Sequence, residues 1–124
     1  MRLGWVLGGA LMLAPVGGAL AQDAEAGQRV FNQCRACHTI NQGGRNGVGP
    51  NLWGVFERQA GAVEGFRYSA PMRERAANLR WDEATLRAYL TDPKAVVPGG
   101  SMAFNGIRNE QQLNDLIAYI RAQR

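Results

Sequence analysis

The sequence contains few of the residues that build disulfide frameworks and metal clusters. Its 124 residues include two cysteines and one histidine. Two cysteines are too few for a network of disulfide bonds, and the three residues together are too few for a zinc site of four cysteine and histidine ligands. Lysine is almost missing as well, because Lys94 is the one lysine among 14 basic residues. No stretch shows the sustained alternation that predicts a β-strand.

The composition is that of one small globular domain. Hydrophobic residues make up 46% of the chain and charged residues 19%, which excludes a disordered or collagen-like protein. The formal net charge is +4, and an excess of basic residues of this size is compatible with acidic protein partners or nucleic acid. The sequence shows no nucleic-acid-binding motif, so we expect no nucleic-acid partner.

Residues 1–21 are typical of a secretory signal peptide. Arg2 precedes an uncharged apolar stretch at 5–14, which Pro15 breaks, and Ala19-Leu20-Ala21 has the small residues of a cleavage site. The alternative is an uncleaved membrane anchor, since 19 uncharged residues barely suffice to span a bilayer. We predict cleavage after Ala21. The mature protein is then a single domain of residues 22–124, exported, periplasmic in a bacterium, and not in the membrane.

The sequence of the mature chain predicts an all-α fold, with three main helices, short helices and long loops. The first main helix is predicted from Asp23, its N-cap, to about Arg35, and the second over 81–91, closed by Pro93. Short helical segments are expected at 51–59 and 72–77, with loops at 41–50, 61–71 and 98–100. Such loops bury little area by themselves, so we expect another group to fill the centre of the fold.

The last main helix has the clearest pattern. Its apolar residues recur at the spacing of one helix face. Asn109, followed by Gln112 three positions later, resembles a capping box in which asparagine replaces serine or threonine. The apolar residues in question are Leu113, Leu116, Ile117 and Ile120.

The residues that carry chemistry form the motif C-x-x-C-H, at Cys34, Cys37 and His38. Two thiols one helical turn apart can add to the two vinyl groups of one porphyrin, and the histidine that follows can ligate its iron. Half of a zinc site is the first alternative, but the chain has no second pair of ligands. A thioredoxin-like redox pair is the second, but no βαβ pattern surrounds the motif. We therefore predict one covalently bound c-type haem.

Haem iron needs a second axial ligand, and no other histidine is present. The candidates in the mature chain are Met72 and Met102. Met102 follows Pro98-Gly99-Gly100, and a loop of this composition can hold an extended backbone across a haem face. Met72 lies in a charged segment without such a loop. We favour Met102, and an iron with histidine and methionine ligands has a raised reduction potential.

Ordered blocks over nearly all of 23–121 resemble the class I cytochrome c family, of the mitochondrial type and its bacterial periplasmic relatives. The similarity rests on many blocks, so it is more specific than one motif. The blocks are Ala26-Gly27 with Phe31; Cys34–His38; Gly49-Pro50-Asn51-Leu52 with Gly54 and Phe56; Gly61; Gly65-Phe66 with Tyr68-Ser69; Trp81; Leu86, Tyr89-Leu90 and Pro93; Pro98-Gly99, Met102, Phe104 and Gly106; and 115–119.

The resemblance implies a cytochrome c fold around one haem and gives roles to particular residues. His38 is the proximal ligand and Met102 the distal ligand. The Pro50 carbonyl accepts from the far nitrogen of His38, and Tyr89 forms a hydrogen bond near the methionine sulfur. Gly27 and Phe31 meet the last helix where the two helices cross. Three residues surround a haem propionate, namely Arg58, Tyr68 and Trp81.

The resemblance also implies a function, that of a soluble periplasmic one-electron carrier and not an enzyme. As a monomer it exchanges electrons with redox proteins such as a quinol–cytochrome c oxidoreductase, a terminal oxidase, a reaction centre or a dehydrogenase. The lysines that many relatives use for docking are largely absent, which leaves Lys94, Arg108, Arg35 and Arg45 as expected rim cations. The alternatives are an open-iron enzyme or gas sensor and a membrane-tethered cytochrome c subunit of a dehydrogenase or oxidase complex.

Overall fold

The computed structural model describes residues 22–124 together with Gly4, Gly8 and Gly9. Apart from those three glycines, the predicted signal peptide at 1–21 lies outside the described residues. No helix in the described part of the chain is both long and apolar enough to cross a membrane.

The first helix, α1, covers Ala24–Val30 and begins at the predicted cap. The Asp23 side chain accepts a hydrogen bond from the backbone N–H of Ala26 at 3.0 Å, which pairs one of the free N–H groups of the first turn. The chain then tightens into a 3₁₀ turn at Phe31–Gln33. The prediction of one helix to Arg35 is therefore wrong in its last turn, where the backbone follows the shorter hydrogen-bond spacing.

The last helix, α5, covers Glu110–Ala122 and confirms the prediction at that position. The Asn109 side chain accepts from the backbone N–H of Gln112 at 3.0 Å. The predicted apolar face is turned inward, and its residues are at most 5% exposed. They are Leu113, Leu116, Ile117 and Ile120.

The α1 and α5 helices cross at very short range, as the resemblance implied. A Cβ atom on Gly27 would overlap the backbone carbonyl of Asp115 and would lie 2.8 Å from the Cβ of Tyr119. Hydrogen is therefore the one side chain that fits here. Next to this contact, Phe31 is fully buried and its ring lies 5.5 Å from that of Tyr119. The crossing fixes the segment that leads into Cys34.

Three further helices lie between α1 and α5. The helix α2 covers Ala70–Arg75 and continues as a 3₁₀ turn at Ala76–Asn78, α3 covers Glu83–Thr91, and α4 covers Pro93–Val96. Helix α3 begins two residues after the predicted position, because the Asp82 side chain caps it by accepting from the backbone N–H of Thr85 at 2.8 Å. Residues 98–100 form a turn, as expected.

The short helix predicted at 51–59 is wrong, since this segment forms turns. The Asn51 side chain accepts from the backbone N–H of Trp53 at 3.1 Å and competes with helical pairing. Gly54 and Glu57 also have positive φ angles, which an α-helix does not contain. In the described residues we find no strand, only an isolated antiparallel bridge between Gln59 and Arg80.

Candidate haem site

A cavity of about 240 Å³ opens between the helices and the long loops. Its lining brings together residues from six separate segments of the chain. All nine residues that the sequence analysis singled out as haem contacts lie in that lining. They are Cys34, Cys37, His38, Pro50, Arg58, Tyr68, Trp81, Tyr89 and Met102.

The C-x-x-C-H motif forms a single helical turn at the wall of the cavity. The backbone N–H groups of Cys37 and His38 both donate to the carbonyl of Cys34, at 3.1 and 2.9 Å. This turn directs both sulfur atoms and the imidazole toward one space, since all three side chains line the cavity. Burial raises the pKa of Cys34 to about 11, so its sulfur is a neutral thiol at neutral pH, unlike a reactive or metal-bound thiolate.

The imidazole of His38 is oriented by the loop at residues 47–50. Its Nδ1 lies 2.7 Å from the carbonyl oxygen of Pro50, and because a carbonyl can only accept, Nδ1 carries the proton. The other ring nitrogen, Nε2, is then an acceptor and available to a metal ion. Burial lowers the pKa of His38, while the hydrogen bond to Pro50 raises it to a smaller extent. The neutral ring is the form that binds iron.

Gly49 lets the loop approach the imidazole closely. A Cβ atom at this position would overlap the ring of His38. The loop is held there by the backbone N–H of Gly49, which donates to the carbonyl of Cys37 at 2.8 Å. The ring is thus fixed by one hydrogen bond and by van der Waals contact on one side.

The sulfur of Met102 also faces the cavity and has a polar neighbour. The hydroxyl group of Tyr89 donates toward it over 3.6 Å. Burial raises the pKa of Tyr89, so the phenol keeps its proton at neutral pH. The ring of Trp81 packs against the ring of Tyr89 with 4.8 Å between their centroids. Met72 lines the same cavity, but the structure gives its sulfur no hydrogen bond to any described residue.

Arg58 is the residue with a full positive charge among those that line the cavity. Its guanidinium donates to the backbone carbonyls of Trp53 at 3.0 Å and Asn51 at 3.4 Å. The remaining donor, Nε, is buried and has no hydrogen-bond partner among the described residues. Burial lowers the pKa of Arg58, an effect that the electrostatic influence of Tyr68 partly opposes. A buried donor without a partner is costly.

The unpaired Nε of Arg58 fits a carboxylate that enters the cavity, such as a haem propionate. Tyr68 lines the same region, and its hydroxyl oxygen accepts from the backbone N–H of Val63 at 3.0 Å. The phenol proton is thereby left to donate elsewhere. Trp81 is 8% exposed and belongs to the core beside Arg58. The arrangement of charge and donors therefore fits the group that the C-x-x-C-H motif predicts.

Other lining residues were not predicted as haem contacts. Most are apolar, and they include Leu52, Val55, Phe66, Leu86, Leu90 and Ile120. The spacing marked Ile120 as a core residue, and the family resemblance included four of the others, but neither showed that they face a ligand. The contact of Arg121 with the ring of Phe56, at 4.8 Å, joins distant segments and has no local signal. None of the expected rim cations lines the cavity, and Arg108 forms an ion pair with Asp92 at 3.7 Å.

The described residues contain no cluster of three or more histidine, cysteine, aspartate or glutamate side chains able to hold a metal ion. The cavity combines an apolar wall, one imidazole, two thioethers, two thiols and one unpaired cationic donor. This set suits a flat apolar macrocycle with a metal at its centre and carboxylates at one edge.

Comparisons with known proteins agree with a cavity that holds a haem. The model of the family described as "Cytochrome c" matches residues 24–124. A curated "Cytochrome c2" from Blastochloris viridis is 46% identical over 116 residues, which cover 94% of this chain and 90% of that protein. A "Cytochrome c2" from Rhodoblastus acidophilus is 48% identical over 100 residues, or 81% of this chain and 92% of that protein. The solved structure of cytochrome cH from Methylobacterium extorquens is similar with a TM-score of 0.73 and 41% identity, over 80% of this chain and 97% of that one.

Proposed function

We propose that this chain, which belongs to the cytochrome c family and binds one covalently attached haem c, is an electron carrier whose iron is held by His38 and Met102. The family has an all-α fold, and its members are electron-transfer proteins and not enzymes. The proposal concerns the two axial ligands, the contacts around the haem, and the place and partners of the electron transfer.

The observation that carries the proposal is that two donors of different chemistry face one cavity, each fixed by a hydrogen bond. The Pro50 carbonyl holds His38 at 2.7 Å, and the Tyr89 hydroxyl group approaches the sulfur of Met102 at 3.6 Å. An imidazole and a thioether are the axial pair of electron-transfer cytochromes with raised potentials. Met72 lines the cavity without a comparable partner, which favours Met102.

Haem iron supplies a one-electron couple between its ferric and ferrous forms. The chain's own residues keep that couple in a fixed and largely dry environment. Phe31, Leu116 and Ile117 are fully buried in the core beside the cavity, and the Cys34–His38 turn is part of the same wall. With both axial positions held by protein side chains, little rearrangement accompanies a change in charge, and no position is left for a substrate.

At the propionate edge we assign a positioning role to Arg58, Tyr68 and Trp81. The Nε of Arg58 donates to a propionate, which removes the cost of a buried donor without a partner. The Tyr68 hydroxyl lines the same cavity, and its proton is free to donate to the same propionate, because its oxygen accepts from the backbone N–H of Val63. Trp81 packs against Tyr89 and so connects this edge with the residues around Met102.

We further propose that residues 1–21 are a signal peptide removed after Ala21, and that 22–124 form one domain that works in the periplasm as a monomer. There it passes electrons between redox proteins of a respiratory or photosynthetic chain. The candidates are a quinol–cytochrome c oxidoreductase, a terminal oxidase, a reaction centre and a dehydrogenase. The amino-terminal residue of protein purified from its host tests the first part. A chain that starts at Met1 in the membrane fraction would instead support a tethered subunit.

The axial ligands are tested by carbon monoxide binding to the reduced holoprotein. We expect the wild type to bind it poorly, because Met102 occupies the position that carbon monoxide needs. The Met102→Ala variant should bind it readily. Met72→Ala is the matched control, since it also removes a methionine from the cavity lining, and it should behave like the wild type. Rapid binding by the wild type, or a gain in Met72→Ala alone, would contradict the proposal.

A further inference from the structure

Two Asn-Gly dipeptides lie in loops of the mature chain, Asn46-Gly47 and Asn105-Gly106. In such a dipeptide the backbone nitrogen of the glycine can attack the side-chain amide carbon of the asparagine and close a cyclic imide. Glycine favours this reaction because it has no Cβ atom to hinder the approach and leaves the backbone free to rotate. Both asparagines are exposed, so access to water does not distinguish the two sites.

The atoms that would react in Asn46-Gly47 are held by hydrogen bonds. The Oδ1 of Asn46 accepts from the backbone N–H of Asn51 at 2.8 Å, and its Nδ2 donates to the carbonyl of Glu64 at 3.5 Å. The backbone N–H of Gly47 donates to the carbonyl of Gly49 at 2.9 Å. The attacking nitrogen and the amide that it would attack are therefore both engaged, and ring closure requires these bonds to break first.

The corresponding atoms of Asn105-Gly106 have no such restraint. Among the described residues, no hydrogen bond uses the side chain of Asn105 or the backbone N–H of Gly106. Residues 102–109 have no regular secondary structure, and the next fixed point is the backbone N–H of Ile107, which donates to the carbonyl of Leu90 at 2.8 Å. The side chain of Asn105 can therefore turn toward the glycine nitrogen.

The position of Asn105 gives its conversion a consequence for charge. It follows directly on Met102, Ala103 and Phe104, which all line the cavity, but it is not part of the lining itself. Residues 22–124 contain 13 basic residues against ten acidic residues, a net charge of +3. An acid at position 105 would lower this net charge to +2 and would place the new carboxylate in water, one residue from the cavity lining.

We propose that Asn105 is a site of spontaneous deamidation, which becomes aspartate or isoaspartate while the hydrogen bonds of Asn46-Gly47 preserve Asn46. The backbone nitrogen of Gly106 bonds to Cγ of Asn105, and its proton leaves with the side-chain nitrogen as ammonia. Water then adds to either carbonyl carbon of the imide and opens the ring. The sequence of steps consumes one water molecule and releases one ammonia molecule, and it needs no enzyme and no oxidant.

The experiment ages the ferric holoprotein at neutral pH and follows both sites by mass spectrometry of proteolytic peptides. Each conversion raises the mass of its peptide, because an acid replaces an amide, and the aspartyl and isoaspartyl peptides elute separately. Since the bonds of Asn46-Gly47 must break first, which slows a reaction about tenfold or more, we expect Asn105 to convert about tenfold faster than Asn46. A rate at Asn105 that does not exceed the rate at Asn46 would overturn the proposal.

A sample unfolded in guanidinium chloride separates the effect of the fold from that of the local sequence. Once the hydrogen bonds around Asn46 are lost, both sites should convert at similar rates. If Asn46 stays slower to the same extent, or if Asn105 converts in the unfolded chain alone, the proposal is wrong.

The matched variant is Asn105→Gln, whose longer side chain closes the corresponding ring far less readily. Isoelectric focusing of aged samples should show an acidic form in the wild type that this variant lacks. Gly106→Ala is unsuitable for the test, because a Cβ atom at this position would overlap the backbone carbonyl of Thr91. An equal amount of the acidic form in Asn105→Gln would assign the new charge to another residue and contradict the proposal.

Discussion

The hydroxyl group of Tyr89 lies 3.6 Å from the sulfur of Met102. Tyr89 belongs to a regular helix, α3, and Met102 to a loop without regular structure. The ring of Tyr89 is itself held against Trp81 at 4.8 Å. The helix α3 therefore holds the loop in place at the sulfur of Met102, which is the atom that we propose as an iron ligand.

Replacing Tyr89 with phenylalanine should lower the reduction potential. A hydrogen bond to the thioether withdraws electron density from sulfur and disfavours the ferric state, so its loss stabilises ferric iron. A neutral hydrogen bond contributes about 1 kcal/mol, which for one electron corresponds to at most about 40 mV. Equilibrium redox titration of the wild type and Tyr89→Phe measures the difference.

The control for this prediction is Tyr119→Phe. Tyr119 packs against Phe31 at the helix crossing and does not line the cavity, so its hydroxyl group should not influence the iron. We expect its potential to equal that of the wild type. A raised or unchanged potential in Tyr89→Phe would show that the phenol does not donate to the axial ligand.

Replacing Gly27 with alanine should destabilise the fold, against the intrinsic preference of the helix. Alanine favours a helix over glycine by up to about 1 kcal/mol, so α1 alone would gain stability. The added Cβ atom overlaps the carbonyl of Asp115, and overpacking of this kind costs about 1–3 kcal/mol. Denaturant unfolding of the holoprotein gives the sign directly. A stabilised variant would mean that α1 and α5 do not cross this closely.

The capping residue Asp82 should make stability depend on pH in the acid range. The hydrogen bond from the backbone N–H of Thr85 lowers the pKa of the Asp82 carboxyl below its usual value of 3.8. Since the folded pKa lies below the unfolded one, ionised Asp82 stabilises the fold above about pH 4, and this contribution disappears as the pH falls through the folded pKa. The free energies of unfolding of the wild type and Asp82→Asn should therefore converge as the pH falls. A constant difference would contradict this.

The parts of the fold that the sequence predicted are those with local chemical signals. Asp23 and Asn109 are capping residues because their side chains are short acceptors, and both helices begin where they stand. The segment 51–59 was predicted wrongly, because its turns depend on a positive φ at Glu57 and on the side chain of Asn51, which propensity does not indicate. The start of α3 was misplaced because Asp82 is a stronger cap than Trp81.

In the candidate site, too, the residues with a local sequence signal were predicted and those that depend on distant contacts were not. The spacing of Cys34, Cys37 and His38 carries its own chemistry, so the motif was sufficient to predict the cofactor. The unpaired Nε of Arg58 could not be predicted, because it depends on two carbonyls supplied by a loop that folds around the guanidinium.

We propose above all that His38 and Met102 would hold the iron through one nitrogen and one sulfur atom. X-ray absorption at the iron edge of the ferric wild-type holoprotein measures this directly. We predict five nitrogen ligands, four from the porphyrin and one from His38, together with one sulfur from Met102 that disappears in Met102→Ala and stays in Met72→Ala. An iron with six nitrogen or oxygen ligands, or with five ligands in total, would contradict the assignment of Met102 as a ligand.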